Sequence, residues 1–126
     1  MEILKASIAA WNERDMDALY ELHDPHVVVR MVEGWPESGP FMGREAVMRQ
    51  FEQLRDTWDA DAVVPVGDSI EVGDRVLVRM IYRGMGQGPQ ADLEMTQVVT
   101  VRKGRIVYRE YFWDHAEALE AVGLSE

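Results

Sequence analysis

The chain contains no cysteine, which excludes a disulfide framework, a thiolate nucleophile and a thiolate metal site, and which fits a reducing cytoplasm. It also has no apolar run of membrane-spanning length, and Met1-Glu2-Ile3-Leu4-Lys5 lacks the basic segment and apolar stretch of an export signal. A cytoplasmic location is therefore expected. Basic residues are few and scattered: 13 Lys and Arg against 23 Asp and Glu leave a formal net charge of -10. Such a field repels phosphate backbones and anionic headgroups, so neither nucleic acid nor a membrane is an expected partner. What is present is a globular composition, 47% hydrophobic and 29% charged over 126 residues, suited to one core and a single domain spanning 1–126.

Apolar residues Ile3, Leu4, Ile8 and Trp11 recur at helical spacing and stop at Asn12-Glu13-Arg14-Asp15. Asp15 is placed to cap a second short helix carrying Met16, Leu19, Tyr20 and Leu22, which Pro25 ends. The β-branched run at 27–32 reads as a covered strand, and the loop at 33–43 is rich in Gly and Pro yet holds Trp35 and Phe41. Val47, Phe51, Leu54 and Trp58 then form the apolar stripe of a third helix. Strands are expected at 63–72, with a break at Gly67-Asp68, and at 75–83, 92–102 and 105–113. Gly73-Asp74 and Lys103-Gly104 are two-residue turn signals, so neighbouring strands should pair antiparallel, while 84–89 reads as a wider loop. Asp114 with Glu117 starts a last short helix that Gly123 closes. The alternating glycines of 84–89 carry no lysine and join two strands, so they are not a nucleotide loop. His23 and His26 span a helix end rather than one helical face, so no metal site is expected, and no cofactor.

Three stretches carry a resemblance: Trp11-Asn12-Glu13-Arg14-Asp15-Met16-Asp17-Ala18-Leu19, Gly43-Arg44-Glu45-Ala46-Val47, and Lys103-Gly104-Arg105-Ile106-Val107 through Glu110-Tyr111-Phe112. With the element order, they make the chain similar to the nuclear transport factor 2-like superfamily, nearest its SnoaL-like polyketide cyclase and ketosteroid isomerase-like relatives. The resemblance implies an α+β fold, a cone-shaped curved antiparallel sheet wrapped around three N-terminal helices with a short C-terminal helix, in the manner of a cystatin-like α+β barrel. It also implies a pocket for a small apolar organic molecule and a cofactor-independent enzyme of isomerase, cyclase or hydrolase type. Such motifs specify fold before chemistry. A noncatalytic domain binding a hydrophobic ligand, or a dimeric interaction module, is the alternative.

Aligned with the ketosteroid isomerases, the positions of the tyrosine and two aspartates hold Ser7, Met31 and Gln97, none of which can act as a carboxylate base. Against the limonene epoxide hydrolases, Arg79 matches the arginine, but Ile81 stands for the first aspartate and Asp114 comes one residue late. Strand alternation anchored on these alignments puts Arg79, Met95, Gln97, Tyr108, Glu110 and Phe112 on the concave face. Glu110 is then a candidate proton-handling group or the structural partner of Arg79. Asp114 is a second catalytic candidate or simply a helix cap, and His115 a third at the pocket mouth. Met31, Met95, Gln97, Arg79 and Phe112 are candidate substrate contacts, with Trp35 and Phe41 either a lid over the cavity or simple packing. The same alternation leaves Val76, Val78, Met80, Tyr82, Val98 and Val107 on the convex face, apolar enough to predict a homodimer through that face.

Overall fold

The computed structural model describes residues 2–35, 39–86 and 88–124. Helix α1 (Glu2–Asn12) and helix α2 (Met16–Leu22) form the expected hairpin. Asp15 caps α2 by accepting from the Ala18 amide at 3.1 Å, which satisfies one of the free N–H groups of the first turn. Strand β1 (His23–Arg30) follows without a loop, earlier than the β-branched run suggests. Pro25 is accommodated because the pairing of β1 is irregular between His23 and Val28, where a missing N–H costs no ladder bond. Strand β2 (Phe41–Met42) is short, and helix α3 (Arg44–Asp56) buries Val47 and Phe51 and half-buries Leu54 along its apolar stripe.

Strands β3 (Ala60–Val72), β4 (Arg75–Gly86), β5 (Gly88–Arg102) and β6 (Arg105–Phe112) pair antiparallel in sequence order. The expected break in β3 is a register shift between Val66 and Ile70. The segment expected as a wide loop is instead a narrow hairpin end, with Gly86 paired to Gly88. Gly84 stays in the strand without a side chain because the Trp58 ring lies where its Cβ would be. The sheet order is β2-β1-β6-β5-β4-β3, and β1 runs parallel to β6. The fold is thus α+β as expected, with a curved sheet that is mixed rather than wholly antiparallel and that does not close into a barrel.

Helices α1, α2 and α3 pack on one face of this sheet, through Leu4, Trp11, Leu19, Val47 and Phe51 against Val76, Val78, Met80, Tyr82, Met95 and Val99. Helix α4 (His115–Ala121) folds onto the opposite face, where Ala118 and Val122 meet Leu77 and Val98. This corrects the assignment of faces in β4. Its apolar positions 76, 78, 80 and 82 are core positions under the helices, and Arg79 is on the convex side, exposed. The surface expected to form a homodimer therefore lies inside the chain's own core, apart from Val98, which α4 covers, and the half-buried Val107.

The core also holds a buried ion pair. Arg55 donates to Asp61 at 3.1 Å, with side chains 7% and 1% exposed, and the Tyr82 hydroxyl donates to the same carboxylate at 2.6 Å. The Arg55 guanidinium also lies 4.3 Å from the centre of the Trp11 ring. Burial pulls Arg55 below its ordinary basicity, which Asp61 opposes, and burial together with Asp61 pushes the Tyr82 hydroxyl well above its ordinary value.

Candidate active site in the concave face

Between the three helices and the sheet lies a cavity walled by Trp11, Leu19, Phe51, Val63, Met80, Tyr82 and Met95, with Ile8, Met31, Trp35 and Leu54 towards its mouth. The free space admits the centres of only a few waters, about 40 Å³. Of the lining residues, Ile8, Trp35, Leu54 and Tyr111 are each half-buried. Three methionines in the wall, Met31, Met80 and Met95, suit an adaptable apolar surface.

One polar cluster interrupts this wall. Arg109 comes from β6, Gln97 from β5 directly beside Tyr111, and Ser7 from α1. Arg109 is 4% exposed and donates to Gln97 Oε1 at 3.0 Å, to Ser7 Oγ at 2.7 Å and more weakly to the Tyr111 hydroxyl at 3.4 Å. Gln97 Nε2 in turn donates to Met80 Sδ at 2.9 Å. The Arg109 Nε–H is buried without an acceptor, and among the described residues no carboxylate forms an ion pair with this guanidinium. His23 is fully buried nearby. Its Nδ1 lies 2.6 Å from the Leu19 carbonyl, which can only accept, so Nδ1 carries the proton and Nε2 is bare. Burial first, and then the positive charge of Arg109, lowers His23 to about 3, so the ring is neutral at ordinary pH.

Of the residues expected in the site, Met31, Trp35, Met95 and Gln97 line the cavity, and Ser7 joins them. Phe41 packs against the core without lining the cavity. Glu110, Tyr108, Phe112 and Arg79 lie on the convex side. Glu110 accepts from the Tyr108 hydroxyl at 2.8 Å, and Phe112 packs under α4. Tyr108 is pushed up to about 12 by burial and then by its bond to Glu110. Arg79 pairs with Glu94 at 3.6 Å on the surface, so the Arg79–Glu110 pair is not formed. Asp114 caps α4 by accepting from the Ala116 amide at 2.9 Å, and His115 Nδ1 is 2.9 Å from Thr96 Oγ1. Arg79, Asp114 and His115 do come together, in a shallow groove of the convex side rather than at the cavity mouth.

The reversal in β6 has one cause. The tight turn at 103–104 starts the hairpin with Arg102 opposite Arg105 and Val101 opposite Ile106, a register that continued would bring Glu110 level with Gln97. The register shifts after Val101, so that Thr100 faces Tyr108 and Gln97 faces Tyr111, and Val107 is the extra residue. One inserted residue turns every later side chain over, taking Glu110 out of the cavity and bringing Arg109 and Tyr111 in. Arg109 is legible in the sequence only as an odd basic residue in an otherwise alternating strand.

Residues 4–109 match the family model described as SnoaL-like domain, and the chain belongs to that family. A search of curated proteins finds no significant match. Among solved structures, a candidate polyketide cyclase from Sinorhizobium meliloti is 26% identical over 88% of this chain and 94% of its own, with a TM-score of 0.75. TerC, solved with polyporic acid, is 23% identical over 96% and 95%, with a TM-score of 0.78. A protein of ketosteroid isomerase-like fold from Catenulispora acidiphila, in complex with trimethylamine, is 20% identical over 98% and 93%, with a TM-score of 0.77. The last two likenesses concern the fold. No described helix is long and apolar enough to cross a membrane.

Proposed function

We propose that this protein takes a small, mostly apolar organic molecule into its concave cavity and acts on it as a cofactor-independent enzyme of isomerase or cyclase type. The observation that carries the reading is an apolar cavity whose wall is broken at one place by a cluster of hydrogen-bond donors, the arrangement that orients an organic substrate by its oxygen. Membership of the SnoaL-like family supports it at the level of a small-molecule pocket fold. Those donors would polarise a carbonyl oxygen, and the tight surrounding wall would exclude water from it. A second reading, binding without catalysis, draws support from one fact: no Asp or Glu is among the described residues lining this cavity, so a protein carboxylate acting as base inside it has no candidate.

The pocket is tested with a neutral probe, naphthalene-2-carboxamide, followed by calorimetry. Saturable one-to-one binding is expected, and Leu54→Trp, which places a bulky ring at the mouth from the half-buried face of α3, should abolish it while leaving the circular dichroism spectrum unchanged. Binding undiminished by Leu54→Trp would place the ligand elsewhere.

A further inference from the structure

Among the described residues, no carboxylate pairs with the Arg109 guanidinium that lines this cavity. We infer that the natural ligand of this protein is an organic anion, an apolar ring system bearing a carboxylate or a stabilised enolate, whose charged oxygen sits on Arg109. The inference deepens the pocket reading and rests on it.

Arg109 accepts nothing and presents five N–H groups, of which Gln97, Ser7 and Tyr111 engage part, leaving Nε–H buried and unpartnered. Ser7 and Tyr111 meet the guanidinium as acceptors, so each keeps its own hydroxyl hydrogen to donate. Gln97 is used at both ends, by Arg109 and by Met80. The cluster therefore offers free N–H and O–H donors from three side chains, which an oxygen rich in lone pairs would complement. A neutral carbonyl would satisfy one or two of these donors; a carboxylate or delocalised enolate satisfies the fork of a guanidinium.

Charge gives the second, independent reason. A buried guanidinium with no counter-ion is costly, and proteins ordinarily supply a carboxylate partner, as this one does for Arg55 with Asp61. For Arg109 the described residues supply none, although the chain is rich in acidic groups overall. The groups facing it are Ser7, Gln97, Tyr111 and the Phe51 ring, whose centre is 6.0 Å from the guanidinium carbon, and His23 is neutral. A bound anion would complete the ion pair inside the cavity. The apolar walls define the remainder of the molecule.

Calorimetry on the full chain at neutral pH separates the possibilities, using naphthalene-2-carboxylate, 2-hydroxy-1,4-naphthoquinone as an enolate, and neutral naphthalene-2-carboxamide. At least one anion should bind about tenfold or more tightly than the amide, the worth of a charge-assisted hydrogen bond over a neutral one. Which anion is preferred distinguishes a carboxylate from an enolate ligand. Arg109→Met should erase that preference, the anions falling to within about threefold of the amide measured on the same variant. If Arg109→Met does not fold, the parent's preference decides the matter, with Arg109→Lys expected to keep its sign but reduce its size. Amide bound as tightly as both anions would overturn the anion inference and leave the pocket reading standing. A preference retained by Arg109→Met would overturn it too, and failure of all three probes to bind would remove both.

Discussion

Asp61→Asn tests whether this part of the core is held by charge. The carboxylate is 1% exposed and serves Arg55 and Tyr82 together, so neither partner has water to fall back on when the charge is removed. Leaving a guanidinium buried without its counter-charge costs about 3 kcal/mol or more. For a domain of this size that is a fall in melting temperature of roughly 10 to 15 °C. The effect should reach the cavity, because Tyr82 and Trp11 form its wall and are positioned by Asp61 and Arg55 respectively. Removing the stranded cation as well, in Asp61→Asn with Arg55→Met, should return at least about 1 kcal/mol, since an apolar side chain of similar length can replace a buried ion pair at little cost. Urea denaturation of the four proteins of this cycle gives the coupling energy, and the near-complete burial of both side chains predicts that it hardly changes with added salt. A loss below about 1 kcal/mol for Asp61→Asn, or two single effects that simply add within about 0.5 kcal/mol, would refute the account.

Two further outcomes are expected. His23 is held neutral in the folded state with a value near 3 against an ordinary 6.5, so the unfolded chain takes up a proton that the folded chain refuses; stability should fall as pH drops below 6.5, by up to about 1.4 kcal/mol per unit. Urea midpoints between pH 6.5 and 5 measure this, and His23→Asn, which can keep the bond to the Leu19 carbonyl but does not titrate, should flatten the profile; an unchanged slope would refute the assignment. Glu110→Gln should lower stability by no more than about 1 kcal/mol and leave probe binding unaltered, because among the described residues its carboxylate accepts from the Tyr108 hydroxyl on the convex side; a tenfold loss of binding would show that Glu110 reaches the cavity after all.

Local chemistry makes much of the architecture legible. The cap at Asp15, the stripe of Val47 and Phe51, the turns at 73–74 and 103–104 and the cap at Asp114 each involve residues close in sequence, and each is found in the fold. Non-local features are harder to read. The parallel pairing of β1 with β6 joins His23 to Ile106 and Arg30 to Glu110, and no turn signal announces such a pairing. The faces of β4 come out reversed for a related reason. Its alternation is plain, but alternation defines two faces without saying which one the helices cover, and the stripe Val76, Val78, Met80 and Tyr82 fits either a core or an interface. Helix α4 settles the other side by covering Leu77 and Val98.

The candidate site depends on a still smaller feature. In a strand whose residues alternate between two environments, the identity of the group inside a cavity is decided by parity, and a β-bulge changes parity without any distinctive mark in the sequence. Here the consequence is electrostatic. Without the extra residue at Val107, the hairpin would present Glu110 beside Gln97, and the cavity would hold an acid that could take up or release a proton. With it, the cavity holds Arg109, whose guanidinium can only donate. The same strand could thus serve either acid/base chemistry or the recognition of an anion. Family membership cannot choose between them, because both arrangements leave the element order, the helix stripes and the hairpin turns unchanged. On the anion reading, chemistry in this cavity would begin from a substrate that brings its own negative charge to a site supplying positive charge and hydroxyl hydrogens.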